Sequence, residues 1–215
     1  MIRTNPKLLT IIDNWLQNRP EEIGHRSFTA GERLVFQDEQ IRFVYIMQSG
    51  LAKCFITEEN GRDYILEFFG EGEIMGELEL ITGKGSLSNV AAITDLTTFR
   101  VRAAFFTAEL AGNRELAQLI MEQLAIRLEQ TAMRASYQQI YPLEYNLLKL
   151  LYLSSEQELQ LSKRDIADYL AISIRSLNRA LKELRNRNII NPDSYNAIIS
   201  REQLAQVLQE FDRLI

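Results

Sequence analysis

One cysteine, one histidine, one tryptophan and four prolines are spread over 215 residues. Cys54 has no partner for an internal disulfide, which fits a reducing compartment. A single thiol also falls short of the roughly four that an iron–sulfur cluster needs. Haem ligation would fall to His25 alone, and a lone histidine at the end of an N-terminal segment is more often solvated or capping. Cys54 lies in a strand-like run and reads as a small buried hydrophobe. With one His, one Cys and no paired carboxylates at a recognisable spacing, an enzyme has no catalytic constellation to work with. No run approaches the roughly 18 apolar residues of a membrane span. Met1-Ile-Arg-Thr-Asn-Pro6 lacks the basic-then-apolar layout of a secretory leader, so a cytoplasmic protein without membrane attachment is expected.

What is present is globular: hydrophobic residues make up 46% and charged residues 25%, which excludes wholesale disorder. The net charge of -5 seems hostile to nucleic acid, but the charge is unevenly placed. Between Leu161 and Ile190 stand Lys163, Arg164, Arg175, Arg179, Lys182, Arg185 and Arg187, against only Asp165, Asp168 and Glu183. Local asymmetry of this kind is what a polyanion responds to, although a solvated helix face can look similar.

The hydrophobic period changes along the chain. Leu8, Leu9, Ile11, Ile12, Trp15 and Leu16 recur at helical spacing between Pro6 and Asn18, and Pro20 stops them. From Ser27 to about Arg102 short β-prone runs follow, among them Leu34–Phe36, Phe43–Met47, Leu51–Ile56 and Tyr64–Phe69, punctuated by glycines. Asn60-Gly61 sits between two strand-like runs and predicts a hairpin, because both residues tolerate positive φ. Short antiparallel strands at this spacing imply a sandwich or roll.

Helical spacing returns from about Arg114 to Ile140, without Gly or Pro. One apolar stripe runs Ala117, Met121, Leu124, Leu128, Thr131, Ala135, and another Leu119, Ile126, Met133 on roughly the opposite side. Two buried faces predict one side against the roll and the other against a second copy, in a short parallel coiled coil. The alternative is a central helix buried in one domain. The interface residues expected are Met121, Leu124, Leu128, Thr131 and Ala135. Pro142 marks a hinge, helical Leu143–Leu153 follows, and a polar linker is expected around Ser154–Glu158. Ile189-Ile190 and Ala197–Ile199 predict a wing hairpin about Asn191–Asn196, and Ser200-x-x-Gln203 a capping box opening a last helix.

Leu161–Leu184 carries the most information. Ser162 is an N-cap with Asp165 three residues on, and Ile166, Ala167 and Leu170 give a buried face. Ala171-Ile172 make a tight turn, Ser173 caps a second helix, and Leu177, Ala180, Leu181 and Leu184 form its apolar stripe. Two short helices so joined form a helix-turn-helix whose second helix enters a major groove, N-terminal residues first. Its outward residues are Ile174, Arg175, Asn178, Arg179 and Lys182. Arginine suits the O6/N7 edge of guanine and asparagine suits adenine, so Arg175, Asn178 and Arg179 are the base-contact candidates. Lys182, Lys163 and Arg164 suit phosphates, Ser162 and Ser173 bring helix N-termini to phosphate oxygens, and Ser176 completes the set.

The chain resembles the Crp/Fnr superfamily of bacterial regulators from about Phe28 to Ile199. The likeness rests on Phe28-Thr-Ala-Gly-Glu32, Tyr45-Ile-Met-Gln-Ser-Gly50, Gly70-Glu-Gly-Glu-Ile-Met-Gly-Glu-Leu78, the Ser162–Leu184 unit and the wing. Phe68-Phe69, Gly76–Ile81 and Ala167–Arg175 are most similar to the YeiL-like branch. The resemblance implies an α+β protein: a cyclic-nucleotide-binding-type β-roll with a long dimerisation helix, then a winged helix-turn-helix. The divisions are 1–26, an N-terminal helical segment; 27–112, an effector-sensing roll; 113–141, dimer helix and hinge; and 142–215, the DNA-binding domain. It also implies double-stranded DNA, a second copy and RNA polymerase as partners, in an activator.

In cyclic-nucleotide-binding members a Gly-Glu pair and a downstream Arg-Ser pair hold ribose and phosphate. Gly76-Glu77 matches the first, followed by Leu78. Ser88 matches the serine, but Leu87 stands where the arginine would be, and Lys84 is a different donor at a different offset. Thr131 matches a base-contacting position, whereas Ala132 replaces a hydroxyl residue. Binding of cAMP is therefore not expected, and no cofactor is identified. Gly70-x-Gly72 and Gly83-Lys-Gly-Ser86 lack the context of dinucleotide and phosphate loops and read as turns. A dimer on a palindromic site, controlled by an unidentified small effector, is the expectation. Alternatives are an effector-independent regulator, and a ligand-binding or interaction protein without a DNA role.

Overall fold

The computed structural model describes residues 4–154, 161–191, 195 and 197–212. The chain divides into two compact units, Ile2–Leu128 and Glu129–Ile215, with the division falling inside one long helix.

The first unit opens with α1 (Pro6–Asn18), capped by the Asn5 side chain, which accepts from Leu8 N–H. Eight strands follow: β1 (Ile23–Phe28), β2 (Arg33–Val35), β3 (Phe43–Ser49), β4 (Ala52–Thr57), β5 (Asp63–Phe69), β6 (Ile74–Met75), β7 (Asn89–Ala92) and β8 (Leu96–Arg102). They form two four-stranded antiparallel sheets, ordered β1-β8-β3-β6 and β2-β7-β4-β5. A short α2 (Glu77–Thr82) interrupts the strands, and α3 (Ala103–Gly112) and α4 (Arg114–Ile140) follow them.

Strand period explains why Phe43–Met47 is apolar throughout. Tyr45 and Met47 point into the core between the sheets, with Phe28, Cys54, Phe69 and Val90. Val44 and Ile46 point the other way, into a second core with Leu8, Ile12 and Trp15 of α1, Phe106 of α3, and Leu116, Leu119 and Ile120 of α4. β3 is thus buried on both faces, whereas His25, Arg26 and Ser27 of the edge strand β1 are exposed. Leu8 and Ile12 are fully buried, each worth about 1.5–3 kcal/mol. Gly72 lets α1 dock: at φ +77° its missing Cβ would lie 2.6 Å from Asn5 O.

Several expectations need correction. The β pattern begins at Ile23, so His25 sits within β1, and its Nδ1 lies 3.3 Å from Gln48 Oε1. The expected Asn60-Gly61 hairpin is present between β4 and β5, with positive φ (+75°) at Gly61. Gly61 N–H donates to Glu58 O at 2.8 Å and Glu58 N–H to Arg62 O at 2.9 Å, giving a three-residue loop. Two helices, α2 and α3, were not anticipated; the six residues of α2 are too few to show a period.

The stripes on α4 are also redrawn. Leu119 is buried with Leu116 and Ile120, on the roll side expected of its stripe, but Leu124, expected at the interface, packs partly against the same core. An ideal helix drifts about 20° per heptad, so seven-residue spacing alone does not define a face. The face left exposed contains Met121, Ala125, Leu128, Ala132 and Ala135, in steps of four and three, while Thr131, Ile126 and Met133 are exposed beside it. Met121 is 63% and Leu128 72% exposed, unusual for large apolar side chains in a row.

In the second unit α4 ends at Ile140, before Pro142, and α5 (Leu143–Ser154) follows. The linker expected around Ser154–Glu158 lies outside the described residues beyond Ser154. Then come α6 (Lys163–Tyr169), α7 (Ile174–Asn186) and α8 (Arg201–Asp212). Ile190 pairs with Ala197 in an antiparallel bridge, and Ile198 N–H donates to Ile189 O at 2.9 Å. These form the base of the wing; residues 192–194 and 196 of its expected tip lie outside the described set. The Ser200/Gln203 capping box is formed in both directions.

Candidate DNA-binding surface and effector cavity

The helix-turn-helix is built by caps. Ser162 Oγ accepts from Asp165 N–H at 3.1 Å, and the Asp165 carboxylate returns to Ser162 N–H at 3.2 Å, closing a capping box at the start of α6. The helix ends in a Schellman arrangement: Ile172 N–H donates to Ala167 O at 3.0 Å, with Ala171 left-handed at φ +56°. An alanine there costs roughly 1–2 kcal/mol against glycine. Ser173 Oγ then accepts from Ser176 N–H at 3.1 Å, and their hydroxyls lie 3.0 Å apart. Ile166, Ala167 and Leu170 are buried, as are Leu177, Ala180, Leu181 and Leu184 on α7. The last turns of α4 brace α6. Gln138 Nε2 donates to Tyr169 O at 3.3 Å, and the buried Arg134 guanidinium lies 4.6 Å from the Tyr169 ring centre.

With the apolar stripe turned inward, Arg175, Asn178, Arg179 and Lys182 stand exposed on the other side of α7. Among the described residues, none of the four has a hydrogen bond or ion pair within the chain. Arg164 is exposed and pairs with Asp168 at 3.5 Å, while Lys163 Nζ lies 5.7 Å from the Tyr195 ring centre. Five candidate donors in the motif are thus presented to solvent, and Ser162 and Ser173 mark two helix N-termini on it.

The roll holds a cavity of about 80 Å³ lined by Gly76, Glu77, Leu78, Leu87 and Ser88 of the expected set, together with Cys54, Glu67, Phe69, Glu79 and Arg127. Gly76, at φ +96°, caps α2 and aims Glu77 inward. Leu87 is 57% exposed at the rim and Ser88 is buried, its hydroxyl 3.0 Å from Cys54 Sγ. Thr131 and Ala132 stand exposed on α4. The side chain that α4 sends into the cavity is Arg127, which the sequence reasoning missed. It binds the Glu77 carboxylate, Glu73 at 3.1 Å, Glu67 at 3.5 Å and the Ile74 carbonyl at 2.8 Å. The available signal was an arginine eleven residues after Leu116, on the stripe of Ile120 and Leu124.

Burial pushes the Glu77 carboxyl above its ordinary range, against the opposing pull of Arg127. Burial alone would lower the Arg127 pKa, but Glu77, Glu67 and Glu73 together outweigh it and hold the guanidinium above its usual value. Desolvation, with Glu67 adding, pushes the Cys54 thiol up to about 12, as befits a buried hydrophobe.

Residues 25–113 match the family model of the cyclic nucleotide-binding domain, and residues 146–211 that of the Crp-like helix-turn-helix domain. The chain belongs to the Crp/Fnr superfamily of DNA-binding transcription regulators. This Crp/Fnr protein is 24% identical to the regulatory protein YeiL of Escherichia coli O157:H7, over 86% of its own length and 85% of YeiL. It is 20% identical to the cAMP-activated global transcriptional regulator CRP of Salmonella typhimurium, over 77% and 84% of the two chains. Its fold is that of FixK2 from Bradyrhizobium japonicum (TM-score 0.73, 20% identity, 86% and 96% covered). It is likewise that of the c-di-GMP-responsive regulator CLP from Xanthomonas campestris (TM-score 0.74, 17% identity, 87% and 98% covered). No helix among its described residues is long and apolar enough to cross a membrane.

Proposed function

We propose that this Crp/Fnr regulator acts as a homodimer on a palindromic DNA site, and that cAMP is not its effector. The observation that carries this is the exposed, internally unpaired row Arg175, Asn178, Arg179 and Lys182 on a helix seated by its apolar stripe. Arg175, Asn178 and Arg179 contact bases; Lys182, Lys163, Arg164 and the N-termini at Ser162 and Ser173, with Ser176, contact phosphates. The exposed α4 face, Met121 to Ala135, supports a coiled-coil seam that sets the spacing of two recognition helices. RNA polymerase joins as a partner through the family resemblance.

The cavity argues against a cyclic nucleotide. Ligand pockets span about 300–1,000 Å³, several times the volume found here. Three carboxylates face one guanidinium, so the field repels a phosphodiester, and Leu87 offers no bidentate donor. An effector binding in the roll would shift Arg127, hence α4 and the hinge near Gln138–Pro142, by population shift. The small volume of the cavity equally favours a second reading, a regulator active without any effector.

The test is selection of DNA from a random library, with protein alone and with cell extract, across salt. Enrichment of a palindrome with half-sites about one helical turn apart is expected. Enrichment only with extract would identify an effector-dependent regulator, and enrichment without it a constitutive one. Added cAMP should change neither result. Binding that showed neither sequence preference nor salt dependence would favour an interaction protein instead.

A further inference from the structure

We propose that Ile174 is a specificity-determining residue that reads the 5-methyl group of a thymine in each half-site. This rests on the DNA-binding function proposed above. Within α6, its turn and α7, Ile174 is the one large apolar side chain among the described residues that stands exposed, at 43%. Every other apolar residue of α7, namely Leu177, Ala180, Leu181 and Leu184, is buried. Ile174 occupies the first position of the helix, directly after the Ser173 cap. Side chains on a helix lean toward its N-terminus, so this one projects beyond the first turn, over the end that enters a groove first. At 100° per residue it lies 40° from Asn178 and 100° from Arg175, so it shares their side of the helix.

The chemistry available at that spot is specific. In the major groove thymine presents an O4 acceptor and a C5-methyl, and the methyl is the feature an aliphatic side chain can contact. Arg175, Asn178 and Arg179 supply hydrogen bonds for purine edges, and none of them is suited to a methyl group. Ile174 supplies the apolar contact that the set otherwise lacks.

The experiment uses the selected palindrome, so its binding has already tested the parent function, and failure of the selection would overturn both. In synthetic duplexes each thymine is replaced in turn by deoxyuridine, which removes the methyl and leaves base pairing unchanged. At fixed salt the unaltered protein should lose affinity at one symmetry-related position, by about fourfold per half-site and about fifteenfold when both are replaced. Ile174→Ala should bind the thymine and uracil duplexes equally, while Arg179→Ala should still distinguish them. No uracil-sensitive position, or a discrimination that survives Ile174→Ala, would overturn the assignment. Because the first arm uses unmodified protein, the outcome does not depend on any variant folding.

Discussion

The two units put arginine to opposite uses. In the roll, one guanidinium, Arg127, is 13% exposed and meets three carboxylates inside the unit. In the helix-turn-helix, Arg175 and Arg179 are exposed and meet none among the described residues. The first arrangement satisfies its charges internally, around a cavity of about 80 Å³. The second leaves its charges to be satisfied by something outside the chain. On the reading proposed above, the roll gives no support for the ligands of its relatives, whereas the unpaired donors of the recognition helix point to a polyanion. Substitutions in the roll, on the recognition helix and in the helix where the division between the units falls distinguish the two uses.

The largest effect is expected at that helix. Leu128→Glu places charge in the centre of the exposed α4 face and should convert dimer to monomer. Two linked half-site contacts become one, and affinity for the palindrome should fall by about 10²–10⁴-fold. Sedimentation and a binding titration check this together; an unchanged dimer with unchanged affinity would remove α4 from the interface.

Next is Arg127→Met, which leaves Glu73 and Glu77 buried without their cation. Breaking one partner of a buried ion cluster costs about 3–5 kcal/mol, read by urea unfolding at neutral pH. The deficit should shrink on acidification. Glu77 already has a raised pKa in the folded state, and losing Arg127 raises it further. Its protonated form is therefore favoured by folding, and the stability it contributes is lost as pH rises through the folded value. A deficit independent of pH would mean that the carboxylates are not what Arg127 neutralises.

The exposed surface is tested by a pair. Arg179→Ala should cost about 1–3 kcal/mol on the selected site and relax preference at one base position, with little change on random DNA. Lys182→Ala should weaken all sequences alike and reduce the salt slope by about one. Equal losses on specific and random DNA for both variants would undo the division into base and phosphate contacts.

The same contrast explains what could be read from the sequence. Ser162, Asp165, Ser173 and the stripe Leu177–Leu184 act within one or two helical turns, so the α6–α7 pair was legible residue by residue. The strand runs were legible because period two is local. Arg127 was not, because its meaning depends on Glu67, Glu73 and Glu77, which lie 50 or more positions away and are brought together only by the roll. Gly76-Glu77 was recognised by resemblance, but resemblance could not say that the carboxylate is already bound from within. On α4, spacing showed two faces and put Leu119 on the right one, yet it placed Leu124 at the interface and Ile126 and Met133 on the covered side. The discriminating fact, which side α1 and the first sheet cover, is tertiary. Asn60-Gly61 marked the hairpin's place, and its three-residue loop needs positive φ at Gly61 alone of the two.

The smallest effect belongs to Cys54, and it measures how closed the cavity is. Its sulfur lines the wall beside Ser88, and burial holds the thiol pKa at about 12, so the thiolate is scarce near neutral pH. In the folded protein a thiol reagent should label it only as fast as the roll opens, and mild oxidant should leave DNA binding unchanged. Labelling should quicken in Arg127→Met, where the ion cluster no longer braces the wall, and should slow again on acidification as Glu77, whose pKa burial raises, takes up its proton. To separate this from ordinary thiolate chemistry, each rate is compared with that of the urea-unfolded chain at the same pH. Fast labelling of the unaltered protein would mean that the cavity opens readily at equilibrium. The small volume would then be a resting value, and the difference between an internally satisfied roll and an unpaired recognition surface would no longer stand.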